Sequence, residues 1–158
     1  VMFWLLGSLG LATFDGTLLV TLIVTAVVAA LFILLAPRID ALSSGDATSL
    51  AVGINPNVLR AILLGLSSLL IGVVVAMSGA IGFIGLIIPH IARRLVGARH
   101  RWALPISAVL GAILLLWADV VSRMILAPQE IPVGIVTALL GAPFIIPLIK
   151  RAYPASSS

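Results

Sequence analysis

The chain has 158 residues, 62% of them hydrophobic and only 9% charged, with a net charge of +4 and a mean hydropathy of +1.33. Soluble domains are about a quarter charged, so this composition excludes a soluble globular protein and points to an all-α polytopic membrane protein. No cysteine is present, which excludes a disulfide, a thiol nucleophile and a cysteine-based metal site.

The chain opens Val-Met-Phe-Trp, without a basic n-region or a small-residue cleavage motif, so the sequence predicts no signal peptide and reads as cut from a longer protein. Val1 to Leu6 is apolar, but Gly7 and Gly10 break it well short of the roughly 20 residues a crossing needs. It reads as an interfacial or re-entrant helix, or as the end of a missing span. Asp15 stands where an N-cap belongs, and the uncharged run Gly16 to Ala36 is the first full span. Pro37 is expected to stop it, with Arg38 following.

Residues 37–57 form the longest polar segment and predict one or two short helices at the membrane surface. Gly53 ahead of Asn55-Pro56 is a helix-stop signal. Leu59 to Met77 is the second span, with Arg60 near its start as a snorkelling anchor. The third crossing, Ala80 to Leu95, is short and carries Pro89 and His90. Gly79, Gly82 and Gly85 near its start would let neighbouring backbones approach. Ala103 to Ile125 is the fourth span, with Asp119 and Arg123 near its far end. Pro128 to Gly134 is a loop, and Ile135 to Ile149 is the fifth span, interrupted by Gly141 and Pro143. Lys150 and Arg151 follow, and residues 152–158 form a tail expected to be disordered.

Alternating these spans places Arg38, Arg60, Arg93, Arg94, Arg99, Arg101, Lys150 and Arg151 on one side. That side is the cytoplasm if positive charge stays inside, and Arg123 alone then faces the other way. Arg123 lies one helical turn after Asp119. Two readings stay open: an intrahelical salt bridge, or a docking charge on the outer face that Asp119 helps position. His90 is an ionisable residue inside an apolar helix, which suits either a proton-handling site or a structural hydrogen bond to a carbonyl freed by Pro89. Two histidines and scattered acids give no metal-ligand spacing. The glycines at 79, 82 and 85 lack a preceding strand and a following Lys-Ser or Lys-Thr, so no phosphate loop is present. Positive-inside anchoring explains the cluster at 93–101 without nucleic acid.

The run from Gly79 through Pro89-His90-Ile-Ala-Arg93 to Arg99-His-Arg and Leu104-Pro105 resembles the FecCD-type permease subunit of ABC importers for siderophores, haem and cobalamin. Ala118-Asp119 with Arg123, Glu130 to Thr137, and Gly141-Ala-Pro-Phe144 agree in order and spacing. The resemblance covers nearly the whole chain as a single permease domain, and five spans correspond to the second half of a ten-helix subunit. It implies that 37–57 is the coupling segment received by a separate ATPase, with Gly45, Asp46, Ala47 and Gly53 at the pattern positions; Asp46 stands where the family usually has Glu. It further implies that Arg123, positioned by Asp119, pairs with an extracytoplasmic substrate-binding protein. Gly79, Gly82, Gly85 and Pro89 would serve helix packing and gating. The chain itself would hold no cofactor, ATP being bound by the partner, and would pair with a second permease copy or a paralogue in a bacterial inner membrane, its C-terminus cytoplasmic. The alternative from another class is a proton-coupled secondary transporter using His90 and Asp119.

Overall fold

The structure, a computed structural model, describes residues 16–79, 81, 83–125 and 131–152. Every regular element among them is helical: α1 Gly16–Ser43, α2 Asp46–Ala51, α3 Pro56–Ser78, α4 Ile84–Val96, α5 His100–Ile125 and α6 Val133–Ala152. Asp15, Gly82, Glu130, the opening residues 1–14 and residues 153–158 of the tail lie outside the described residues.

Three helices, α1, α3 and α5, are long and apolar enough to cross a membrane. All five expected apolar segments form helices, and three of the expected boundaries are corrected. The first helix does not stop at Pro37 but runs on to Ser43. A proline costs its helix one hydrogen bond and a steric adjustment, but the turns that follow Pro37 are held by bonds of their own. Here the end of α1 is well tied. The Asp40 carbonyl accepts hydrogen bonds from the Ser44 amide at 3.2 Å, the Ser43 hydroxyl at 2.8 Å and the Ser44 hydroxyl at 3.0 Å. The last span is likewise uninterrupted, for α6 continues through Gly141, Pro143 and Pro147.

The third correction concerns α4, which begins only at Ile84 and has 13 residues. At 1.5 Å per residue it is about 20 Å long, too short to span by itself. Its start explains how so short a helix fits. Phe83, which precedes it, packs against Gly141, eight residues into α6. Phe83 therefore stands level with a residue about 12 Å into α6. Phe83 holds a left-handed backbone, φ 67°, and is the non-glycine residue with positive φ among those described.

Helix α5 is the central post, packing against α1, α4 and α6, while α3 packs on α1 and α6 also touches α4. The buried positions are mostly small: Ala36, Ala92, Ala103, Ala118, Ser122 and Thr137. Small side chains let helices approach closely where hydrophobic exclusion from water cannot drive them together. The buried hydroxyls are satisfied within their own helices, Ser122 donating to the Asp119 carbonyl at 2.9 Å and Thr137 to the Gly134 carbonyl at 3.0 Å. Large apolar side chains such as Leu34, Leu64, Leu86, Trp117 and Leu139 point outward, as lipid-facing or helix-facing surfaces do.

Candidate functional site: two ends of one bundle

Helix directions sort the polar residues into two groups. The end of α1 is pinned to the start of α5, because Asp40 Oδ1 accepts from the His100 backbone N–H at 3.0 Å and lies 2.6 Å from His100 Nδ1. Helix α5 then runs 26 residues, about 39 Å, to the opposite end, where Asp119 and Arg123 sit in its last two turns. Helix α6 returns antiparallel, its Val133 and Val136 packing with Ala118, and so carries Lys150 back toward the first end. Arg38, Arg60, Arg93, Arg94, Arg99, Arg101 and Lys150 therefore cluster at one end, and Arg123 is at the other. That is the sorting the sequence predicts.

The first end is built around α2. Gly45 precedes it with φ 120° and Gly53 follows it with φ 77°, backbone angles that a side chain would strain. Between these two bends the six residues 46–51 form one short helix, so the predicted surface segment contains a single helix of its own, its first residues belonging to α1. Ser49 is buried and its hydroxyl returns to the Gly45 carbonyl at 3.3 Å. Ala47, Thr48 and Leu50 are exposed. The next helix starts cleanly, with the Asn55 side chain accepting from the Asn57 amide at 3.0 Å and the Val58 amide at 3.4 Å, and with Pro56 in the first turn.

Two side-chain pairs frame this segment. Arg60, on the second turn of α3, reaches back to Asp46 with both arms of its guanidinium, at 2.6 and 3.2 Å. Its charged head is thus engaged by a carboxylate, where the sequence reading gave it only an anchoring role. Asp40 and His100 form the second pair. Asp40 lies beyond the uncharged part of α1. Partial burial pushes its carboxyl up, but the His100 backbone N–H, the His100 ring and its charge, and the nearby Arg99 outweigh that, so it sits below the ordinary carboxylate value. Neither Asp40 nor His100 was singled out in the sequence; a contact between residues 60 apart carries no local signal.

At the far end Asp119 Oδ2 accepts from Arg123 Nε at 2.9 Å, the predicted pair one turn apart. The Arg123 side chain is about half exposed. His90 is exposed on α4, and among the described residues no hydrogen bond or ion pair joins it to Asp119. No grouping of three or more His, Asp or Glu suited to a metal occurs among the described residues.

The glycines divide. Gly79 ends α3, donating to the Val75 carbonyl at 2.9 Å. Gly85 faces open space, so any close approach it allows is to a surface outside the described chain. Gly141 is the closely packed glycine: a Cβ there would meet Phe83 Cγ at 3.0 Å and Ile87 Cδ1 at 3.2 Å, with Phe83 Cβ nearer still. Sequence reasoning took Gly141 for a helix interruption and missed this contact.

Residues 1–151 match the FecCD transport family. The chain is 46% identical over 148 residues to the hemin transport system permease protein HmuU of Yersinia pestis, covering 94% of this chain and 44% of that protein. It is 50% identical over 117 residues to the Fe(3+)-citrate import system permease protein YfmE of Bacillus subtilis, covering 74% and 35%. Its fold matches a solved structure described as an inward-facing conformation of a metal-chelate type ABC transporter, with a TM-score of 0.87 and 37% identity over 95% of this chain and 48% of that one. The chain thus spans less than half the length of these relatives.

Proposed function

The chain belongs to the FecCD transport family, and from that membership we propose that it is the second half of a permease subunit that imports iron-siderophore, haem or cobalamin-type chelates. Transport proceeds by alternating access, and ATP is bound and hydrolysed by a separate ATPase subunit, not by this chain. The observation that supports this reading most is the separation of two sites by one rigid post. A short helix bracketed by positive-φ glycines sits at one end, and the Arg123–Asp119 ion pair sits at the other.

In this mechanism Gly45, Asp46, Ala47 and Gly53 define the coupling segment on which the ATPase seats. Its exposed face at Ala47, Thr48 and Leu50 is the surface to be pushed. Nucleotide-driven closure moves α2, and the helices joined to it shift between two packings that differ by a few kcal/mol. At the other end Arg123, held by Asp119, meets a carboxylate on the substrate-binding protein. The basic end faces the cytoplasm with the C-terminus, and the membrane is the bacterial inner membrane. Two permease copies, or a copy and a paralogue, enclose the pathway. The alternative is a proton-coupled secondary transporter using His90 and Asp119, and among the described residues no hydrogen bond or ion pair joins the two.

Purification of the native protein in mild detergent tests the reading. A polypeptide about twice this length that copurifies with an ATPase subunit is expected. A protein of this length that never associates with an ATPase would contradict it.

A further inference from the structure

We propose that Arg60 is a positioning residue for energy coupling: its fork on Asp46 makes the short helix α2 and the spanning helix α3 one mechanical body. This inference rests on the reading of residues 45–53 as the ATPase seat.

Helix α2 is only six residues long and is flanked by two glycine bends, each closed by backbone bonds: the Gly45 amide donates to the Leu42 carbonyl at 3.1 Å and the Ile54 amide to the Ser49 carbonyl at 2.8 Å. Those bonds tie α2 to its own flanking residues and leave its link to α3 to packing and to side chains. Helix α2 packs against α1 and α3. Toward α3, the polar side-chain contact among the described residues is the Asp46–Arg60 pair, between residues 14 apart. Two parallel N–H···O bonds from a planar guanidinium to a carboxylate fix orientation as well as distance, which a single charge contact does not. The pair therefore bridges the Gly53 bend like a strut, from the first residue of α2 to the second turn of α3. The Asp40–His100 pair does the corresponding work between α1 and α5, fixing the other side of the segment to the central post. Displacement of α2 is thereby directed into α3, against a frame of α1 and α5.

Both partners of the Asp46–Arg60 pair are about half exposed. An exposed pair contributes little to folding, so its loss should alter force transmission more than it alters assembly.

The test uses the full-length permease assembled with its ATPase and binding protein in liposomes, read as ferric-siderophore or hemin taken up per ATP hydrolysed. Arg60→Gln should lower that ratio about two- to fivefold, the range an exposed pair can carry, while ATP hydrolysis persists. Arg60→Lys, which keeps the charge and loses the fork, should recover only part of it. The double variant Asp46→Asn with Arg60→Gln should fall no further than the worse single variant, because the two act as a unit. A separate reading monitors the seat itself: Ala47→Cys should cross-link to the ATPase in the parent and in Arg60→Gln. A parental ratio in Arg60→Gln with the cross-link intact, or additive losses in the double variant, would overturn the strut and leave the seat standing. No cross-link in the parent would overturn the seat and the strut together. If Arg60→Gln does not assemble, Asp46→Asn read against Arg60→Lys decides on the same ratio.

Discussion

The contact between Gly141 and Phe83 gives the sharpest test of the packing. Gly141→Ala adds one methyl group in the middle of α6. Carbon atoms in good contact lie about 3.5–4.0 Å apart, whereas the new Cβ would meet Phe83 Cγ at 3.0 Å and Ile87 Cδ1 at 3.2 Å, with Phe83 Cβ closer still. The atom in the way is next to the backbone of Phe83, so a rotamer change cannot relieve the overlap, and α4 and α6 must separate. Overpacking of this kind costs about 1–3 kcal/mol. Alanine regains up to about 1 kcal/mol of helix propensity over glycine. The net expectation is a destabilisation of about 1–2 kcal/mol, seen as a lower thermal or denaturant midpoint in detergent. Phe83→Gly removes the obstructing side chain and suits the positive φ at that position. In the Phe83→Gly background, Gly141→Ala should therefore be neutral or stabilising. A single Gly141→Ala variant as stable as the parent, or the same penalty in both backgrounds, would refute the reasoning.

Arg123→Glu should weaken association with the substrate-binding protein, with the deficit growing at low salt where like-charge repulsion is least screened; unchanged affinity across salt would sink the docking role. For Asp40 the lowered carboxyl fixes the sign: its stabilisation is fully present above the unfolded-state value and is lost as pH falls through the lower folded value. Asp40→Asn should therefore flatten the acid limb of stability below about pH 3.8, the ordinary value for this group, and an unaltered limb would show that the pair with His100 contributes nothing. Asn55→Ala removes a side-chain cap that serves two amides of α3 and should cost about 1 kcal/mol. Asn55→Asp should retain most of it, and equal losses in the two variants would count against capping.

Much of the bundle is legible in the sequence because long uncharged runs and the side of each arginine are one-dimensional signals. The stop at Gly53 and the Asp119–Arg123 turn are local as well, and each is readable from neighbouring residues, whereas Pro56, read as part of that stop, opens α3. The misreadings share a cause. Pro37, Pro143 and Gly141 are helix breakers by local rule, yet each lies inside a helix whose other contacts hold it. The pairs Asp40–His100 and Asp46–Arg60 join separate elements, and no spacing rule brings them together. Gly141 is the clearest case, since its role depends on a contact with Phe83, far from it in sequence.

The most direct test of the central claim is chelate uptake by the complete transporter in liposomes, with the proton gradient and ATP hydrolysis controlled independently. The account predicts uptake that requires hydrolysable ATP, survives a protonophore and is retained in His90→Ala. Uptake that persists when hydrolysis is blocked and collapses with the proton gradient would contradict it and favour the relay through His90 and Asp119.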